Sequence, residues 1–305
     1  MPDPVLRLAV AGAAHPHVSY VLDELALRTD VELVGVTDHD HVSLFREQRP
    51  DVVAVAGVYS ERGAVVVDAL RAGAHVLADK PLCTSLSELD AIEAAARESG
   101  RTVSLMLEKR GYPETLAARE LLDSGVLGPL ALVASSGPHK LRRPTRPAWF
   151  LDRSTCGGVI GDLAVHDIDL VLSFSGATEG TVSAVGGPLH GAVLLRAGDV
   201  AATIEVSWLT PEAAPWHGDY RMRLTGRDGT AELLWARGEA TAETHERPLW
   251  SLPLPEGRRP AVALDAFVAG EEPDVGTAAS LLATRIALLA QDSADNAGVV
   301  HPWAA

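Results

Sequence analysis

A lysine, an aspartate and a histidine have types and spacing suited to moving a proton. Lys80 ends the run His75-Val76-Leu77-Ala78-Asp79-Lys80-Pro81, just past a buried strand. Pro81 stiffens the chain there and biases Lys80 toward extended geometry. A cis Lys80–Pro81 bond is accessible, because X–Pro amides favour trans by only ~0.5–1 kcal/mol. An ammonium in this place is able to hydrogen-bond a reacting hydroxyl or carbonyl oxygen. Only Lys80, Lys109 and Lys140 are lysines among 26 basic residues, so an ordinary solvated cation here would be an arginine. Asp162 and His166 lie four residues apart, and Asp169 follows three later. On a helix the three share one face. His166 is able to take and return a proton near neutral pH, with Asp162 orienting it. The plain alternative is a structural His–Asp pair, and Asp169 reads as structural.

A second group points to a dinucleotide. The first apolar run ends in Gly12-Ala13-Ala14-His15-Pro16-His17. In a G-x-G-x-x-G fingerprint the first glycine makes the tight turn, the second admits the pyrophosphate and the third lets helix pack on strand. Only Gly12 is kept here; Ala14 and His17 hold the other two places. Asp38, at the end of the second strand, suits the two ribose hydroxyls and repels a 2′-phosphate, which favours NAD over NADP. Its bland reading is a turn residue of Asp38-His39-Asp40-His41. The candidate cofactor-contacting residues are Gly12, Ala14, His15, His17, Asp38 and the segment Asp79-Lys80-Pro81. The two His-rich clusters also suit a divalent ion. Polar loop residues beside a cofactor explain them better, and no metal is expected.

The elements that must carry these residues follow from hydrophobic periodicity. Strands are predicted at 5–11, 31–37, 52–56, 75–78 and 102–107, with helices over 16–28, 60–72 and 85–99. Only a short helix fits between Asp38 and Asp51. Alternation at this spacing means βαβ units in a doubly wound parallel sheet, with a ligand crevice at the carboxyl ends of its strands. From about Gly128 the pattern changes. A strand at 129–136, an Arg-rich loop at 139–148 and a helix over 158–173 precede period-2 runs at 181–186, 191–197, 200–208, 220–225 and 230–235, and a helix over 276–291 follows. These runs indicate an antiparallel or mixed sheet. The expected architecture is α/β: a Rossmann-type domain over 1–112, then an α+β domain over 113–305.

Composition narrows the partners. The chain has 305 residues, 47% of them apolar, and a formal net charge of −15, so phosphate backbones and anionic membrane are repelled. Cys83 and Cys156 form no C-x-x-C pair, which fits a reduced compartment. Met1 to Arg7 lacks a signal-peptide pattern, and no apolar run nears the ~20 residues of a membrane span. A cytoplasmic location is expected.

In order and spacing these motifs resemble the Gfo/Idh/MocA family of oxidoreductases, named for glucose–fructose oxidoreductase, inositol dehydrogenase and a rhizopine-catabolism protein. Asp79-Lys80-Pro81 resembles its E-K-P motif with Asp for Glu. Gly157-Gly158 through Asp169 resembles its G-G…D-x-x-x-H-x-x-D signature, and Ser124-Gly125-x-Leu127-Gly128 the turn into its second domain. The resemblance implies a catalytic group of Lys80, Asp162 and His166 and an NAD cofactor. It also implies reversible oxidation of a secondary alcohol on a sugar, inositol or polyol, and a homodimer or homotetramer. Three departures fall on the cofactor side: Ala14 and His17 in the loop, the short segment after Asp38, and Val58-Tyr59-Ser60-Glu61-Arg62 where a Pro-Asn-type turn is usual. Two other functions use the same fold: redox-assisted glycoside cleavage, and a non-catalytic sugar or dinucleotide sensor, which has no need of all three catalytic groups. Arg142, Arg143, Arg146 and Trp149 would suit an anionic sugar at the pocket edge, or are simply solvated.

Overall fold

Five short apolar runs pair side by side, and four of them are buried on both faces, as parallel strands between helix layers require, while the edge run at 31–37 is largely exposed or half-buried. The computed structural model describes residues 5–305; the first four, part of the N-terminal stretch read above, lie outside them. The strands are β1 (Leu6–Ala11), β2 (Val31–Thr37), β3 (Val52–Val55), β4 (His75–Asp79) and β5 (Val103–Met106). They alternate with α1 (Val18–Leu25), α2 (His41–Gln48), α3 (Tyr59–Arg71) and α4 (Leu86–Ser99). All pair in parallel, in the order β2-β1-β3-β4-β5. That order reverses between β1 and β3, which opens a crevice where the loops after those two strands diverge.

Contacts divide the chain into two units, neither continuous in sequence. The first comprises the chain up to Leu107 with Ala148–Gly157 and Arg259–Arg285; the second comprises Glu108–Pro147, Gly158–Arg258 and Ile286–Ala305. In the first unit Leu8, Val10, Val52, Ala54 and Leu77 pack with Ala261, Leu264 and Phe267, so late residues complete an early core. The edge strand β5 is also covered from the end of the chain. Its Val103 and Leu105 N–H groups donate to Thr277 Oγ1 and Ser280 Oγ, both at 3.0 Å.

The second unit is built on a nine-stranded sheet. Its elements are α5 (Pro113–Asp123), β6 (Leu130–Pro138), α7 (Val159–Ser175), β7 (Glu179–Gly187), β8 (His190–Ala197), β9 (Val200–Ser207), β10 (Arg221–Gly226), β11 (Gly229–Leu234), β12 (Glu239–Thr244), β13 (Trp250–Ser251) and β14 (His301–Ala304). The one-turn helix α6 (Arg153–Cys156) and α8 (Ala263–Ala269) fall in the first unit, and α9 (Thr277–Asp295) runs from one into the other. The strand order is β13-β12-β11-β10-β6-β9-β8-β7-β14, with β6–β9 parallel and the other pairs antiparallel. Burial alternates strictly along β8, as a sheet with one covered face demands. Helix α7 packs on β6, β8 and β9.

The expected parallel sheet and the later, mostly antiparallel one are both present. Helix α1 is shorter than the predicted 16–28, because His15 to His17 form a turn. Helix α5 is absent from the predicted elements although Pro113 in its first turn and its Ala, Leu and Glu content suit a helix, whereas α8 and strands β12 to β14 carry no strong pattern. The run Glu239–Thr244 is poor in β-formers, and pairing with β11 makes it a strand. Strand β14 carries Pro302, tolerable because β14 is an edge.

Candidate functional site

Gly12 holds the close approach on which the crevice of the first unit depends. Its φ is +79°, and a Cβ there would come within 2.6 Å of Gly57 Cα, in the loop after β3. The two loops are tied further by His15 N–H to the Ala56 carbonyl (2.9 Å) and Ala56 N–H to the Gly12 carbonyl (3.1 Å). Asp38, exposed at the end of β2, accepts the Ala13 N–H at 2.6 Å. Glycine, carboxylate and helix start therefore take the places a dinucleotide needs, although Ala14 and His17 are not glycine. The close backbone approach at Gly12 and the exposed Asp38 carboxylate suit the pyrophosphate and ribose of a dinucleotide. The neighbouring His-rich cluster has local duties: Asp40 caps α2 by accepting from Ser43 N–H, and His41 Nε2 meets Asp68 at 2.9 Å.

Asp79 and Lys80 follow β4 in the same unit. Asp79 is fully enclosed. Its Oδ2 meets Arg62 Nη2 at 2.8 Å and His15 Nδ1 at 2.9 Å, and its Oδ1 meets His17 Nδ1 at 2.9 Å. Burial works to raise the Asp79 pKa; the Arg62 charge and the histidine hydrogen bonds outweigh it and hold the carboxyl well below the usual carboxylate range. Burial pushes the His15 pKa down, against the pull of Asp79. The ligand atoms of His15, His17 and Asp79 lie within 4.8 Å of one another, close enough to suggest a metal. The Arg62 guanidinium on the same carboxylate puts a fixed positive charge there, which favours a hydrogen-bonded network over a dication. Lys80 is 5% exposed, and the Lys80–Pro81 bond is cis.

The remaining chemistry lies on α7, in the second unit, where residues 159 to 172 are all buried. Asp162 and His166 sit one turn apart, at 1% and 3% exposure, and His166 Nε2 is 3.7 Å from Glu108 Oε1. Asp169 is held in a fork by Arg110, with Nε and Nη2 each donating at 2.7 Å, which gives it a structural part. Asp167 turns toward β6 instead. Lys109 Nζ donates to both its oxygens at 3.0 and 3.1 Å, and Ser135 Oγ donates at 2.7 Å. Within the Arg-rich loop, Arg146 Nε donates to the Leu141 carbonyl at 2.9 Å, while Trp149 lies edge-on to Tyr59 at 5.0 Å in the first unit.

Sequence reasoning missed Arg62, Glu108, Lys109 and Asp167. A signal existed for Lys109, since the scarcity of lysine that marks Lys80 applies equally to it. For Arg62 there was none beyond its place in the departing turn after β3.

Residues 7–107 match the family described as "Oxidoreductase family, NAD-binding Rossmann fold", and residues 115–232 match the "GFO/IDH/MocA C-terminal domain". Among curated proteins, the chain is 29% identical over 154 residues to the uncharacterized oxidoreductase YdgJ of Escherichia coli, covering 50% of this chain and 44% of that protein. It is 26% identical over 198 residues to scyllo-inositol 2-dehydrogenase (NAD(+)) of Bacillus subtilis, covering 59% of this chain and 53% of that one. In both, the match spans about half the relative's length. The fold is shared with the crystal structure of an inositol dehydrogenase homolog complexed with NAD+ from Azotobacter vinelandii, at TM-score 0.83 and 21% identity, covering 99% of this chain and 98% of that one.

Proposed function

The chain belongs to the Gfo/Idh/MocA oxidoreductase family, and from that premise we propose that it is an NAD-dependent dehydrogenase or reductase acting on a secondary alcohol or ketone of a sugar, inositol or related polyol. The observation that carries the reading is the Gly12 turn packed on Gly57 at the β1/β3 crevice, with Asp38 at the end of β2. Gly12, Ala14, His15, His17, Asp38 and the Asp79-Lys80-Pro81 segment would hold the dinucleotide, and the Asp38 carboxylate favours NAD over NADP. When bound, the nicotinamide supplies the hydride acceptor or donor.

In this reading Lys80, Asp162 and His166 are the catalytic group. His166 takes the hydroxyl proton during oxidation and returns it during reduction. Lys80 stabilises the substrate oxygen as its charge changes, and Asp162, one turn earlier on α7, orients the imidazole. In sequence the functional division is a cofactor domain over 1–112 and a substrate domain over 113–305, with residues 148–157 and 259–285 of the latter belonging to the first unit. Exposed Leu132, Val185 and Leu194 on strands of the nine-stranded sheet support a homodimer or homotetramer. Among the described residues no helix is long and apolar enough to cross a membrane. A cytoplasmic location belongs to the same reading, with Cys83 and Cys156 as buried thiols.

Titration with NAD(H) and NADP(H), followed by a screen of sugars, inositols and sugar acids for absorbance change, tests the reading. NAD(H) binding and turnover are expected, with His166→Ala slowing turnover by about 10²–10⁴-fold. Absence of dinucleotide binding refutes it. Binding without turnover of any sugar or polyol points to a sensor, and full turnover by both Lys80→Ala and His166→Ala removes the catalytic assignment.

A further inference from the structure

Arg62 is fully buried, the largest such side chain among the described residues. It lies one turn into α3, in the turn that departs from the family pattern. Its Nε donates to the Gly57 carbonyl at 2.9 Å, and Nη1 donates to the carbonyls of Asp79 and Pro81 at 2.9 and 3.0 Å. Nη2 donates to Asp79 Oδ2 at 2.8 Å, and the guanidinium lies 4.4 Å from the Tyr59 ring centroid. The two carbonyls taken by Nη1 stand on either side of Lys80, so one planar group fixes the backbone before and after it. Through Asp79 the same group reaches His15 and His17 in the loop after β1.

Stability alone is a poor reason for such an arrangement. A buried ion pair is often matched or bettered by apolar residues of the same volume, because both charges lose their hydration. Here the pair joins the loops after β1, β3 and β4, along the carboxyl edge of the first unit's sheet. Two of the three loop glycines that normally let a dinucleotide approach are absent, at Ala14 and His17. Something else must hold the loop after β1 in shape, and only a rigid, multiply donating side chain spans all three loops.

We infer that Arg62 is a positioning residue: with Asp79 it clamps the His15–His17 loop and the Lys80 backbone in the geometry that receives the dinucleotide. The inference rests on the dinucleotide reading above and adds to it a residue that the motifs do not include. The metal alternative for His15, His17 and Asp79 would make Arg62 an obstacle, whereas the clamp requires it.

The full chain is the right material for the test. Arg62→Lys keeps a cation near Asp79 but lacks the fork that reaches both carbonyls. Hydrogen–deuterium exchange is read peptide by peptide without ligand, and NADH affinity is read by fluorescence. In R62K, protection should fall in the segments 11–18 and 79–84 and hold in α4 and β5. NADH affinity should weaken about tenfold or more, as expected for lost charge-assisted hydrogen bonds. With a substrate in hand, kcat should drop about a hundredfold, the usual effect of a misplacement near 1 Å. If R62K does not fold, Asp79→Asn is read in the same way. Unchanged exchange in both segments with wild-type NADH affinity overturns the inference and leaves the dehydrogenase reading intact. A wild-type chain that binds no NADH refutes that reading; exchange then still decides whether Arg62 holds the two loops, with retained protection overturning the clamp.

Discussion

Replacing Lys109 by methionine should destabilise the second unit by about 3 kcal/mol, and removing its partner as well should restore most of that loss. Lys109 and Asp167 are 5% and 0% exposed, and both carboxylate oxygens lie near the ammonium, at 3.0 and 3.1 Å. The ammonium also faces the Tyr220 and Trp235 rings, at 5.2 and 5.0 Å from their centroids. Methionine keeps most of the apolar stem against those rings and removes only the charge. Asp167 is then a buried carboxylate that keeps the Ser135 Oγ donor at 2.7 Å. Breaking one side of a buried pair costs about 3–5 kcal/mol, and the surviving Ser135 bond places the figure at the low end. Lys109→Met with Asp167→Leu removes both charges at similar volume and should fall within about 1 kcal/mol of wild type. Urea unfolding followed by tryptophan fluorescence and circular dichroism gives all three values and Asp167→Leu alone, closing a double-mutant cycle. A K109M cost under about 1 kcal/mol, or a double variant as unstable as the sum of the singles, would refute the assignment of this pair as tightly coupled.

Two further outcomes follow from titrating groups. Burial, with the Glu88 charge adding to it, pushes the Cys83 thiol up to about 12, so iodoacetamide at pH 8 should leave Cys83 unmodified in the native chain and label it in urea. Peptide mapping that finds rapid native labelling at Cys83 would contradict this. Burial, aided by Arg142, Arg146 and Lys140, pushes His217 down to about 4, below its unfolded value near 6.5. The unfolded chain therefore binds the proton first, and the stability tied to His217 is complete above about pH 6.5 and is lost as pH falls toward 4. Because the ring is only half-buried, about 1 kcal/mol of that loss is expected, and His217→Gln should flatten the fall in Tm between pH 7 and 4.5 by the corresponding amount.

Much of this molecule was legible from periodicity because its elements are locally consistent. The run at 52–56 is buried on both faces, and the strict alternation of β8 fixes which face is covered. The positions of Lys80 at a strand end and of Asp162 and His166 one turn apart on α7 follow from the same local rules. What escaped was set by distant partners. Nothing near Glu239 marks a strand without β11 beside it, and nothing near Arg62 reveals that Asp79, seventeen residues on, would neutralise it. Asp169 is the converse case: it shares a helical face with Asp162 and His166 but reads as structural from sequence, and the Arg110 fork gives it that part.

The hydroxyls of Thr277 and Ser280 that cover the edge of β5 have a consequence for biosynthesis. A ribosome delivers β5 roughly 170 residues before it delivers those two side chains, and Ala261, Leu264 and Phe267 of the same core also arrive late. Until then the nascent first unit shows an open strand edge and an unfilled core, both of which invite pairing with other chains. Final closure of this unit must therefore follow synthesis at least as far as Ser280. A chain stopped before Thr277 would be stranded in the state that chaperones exist to shield.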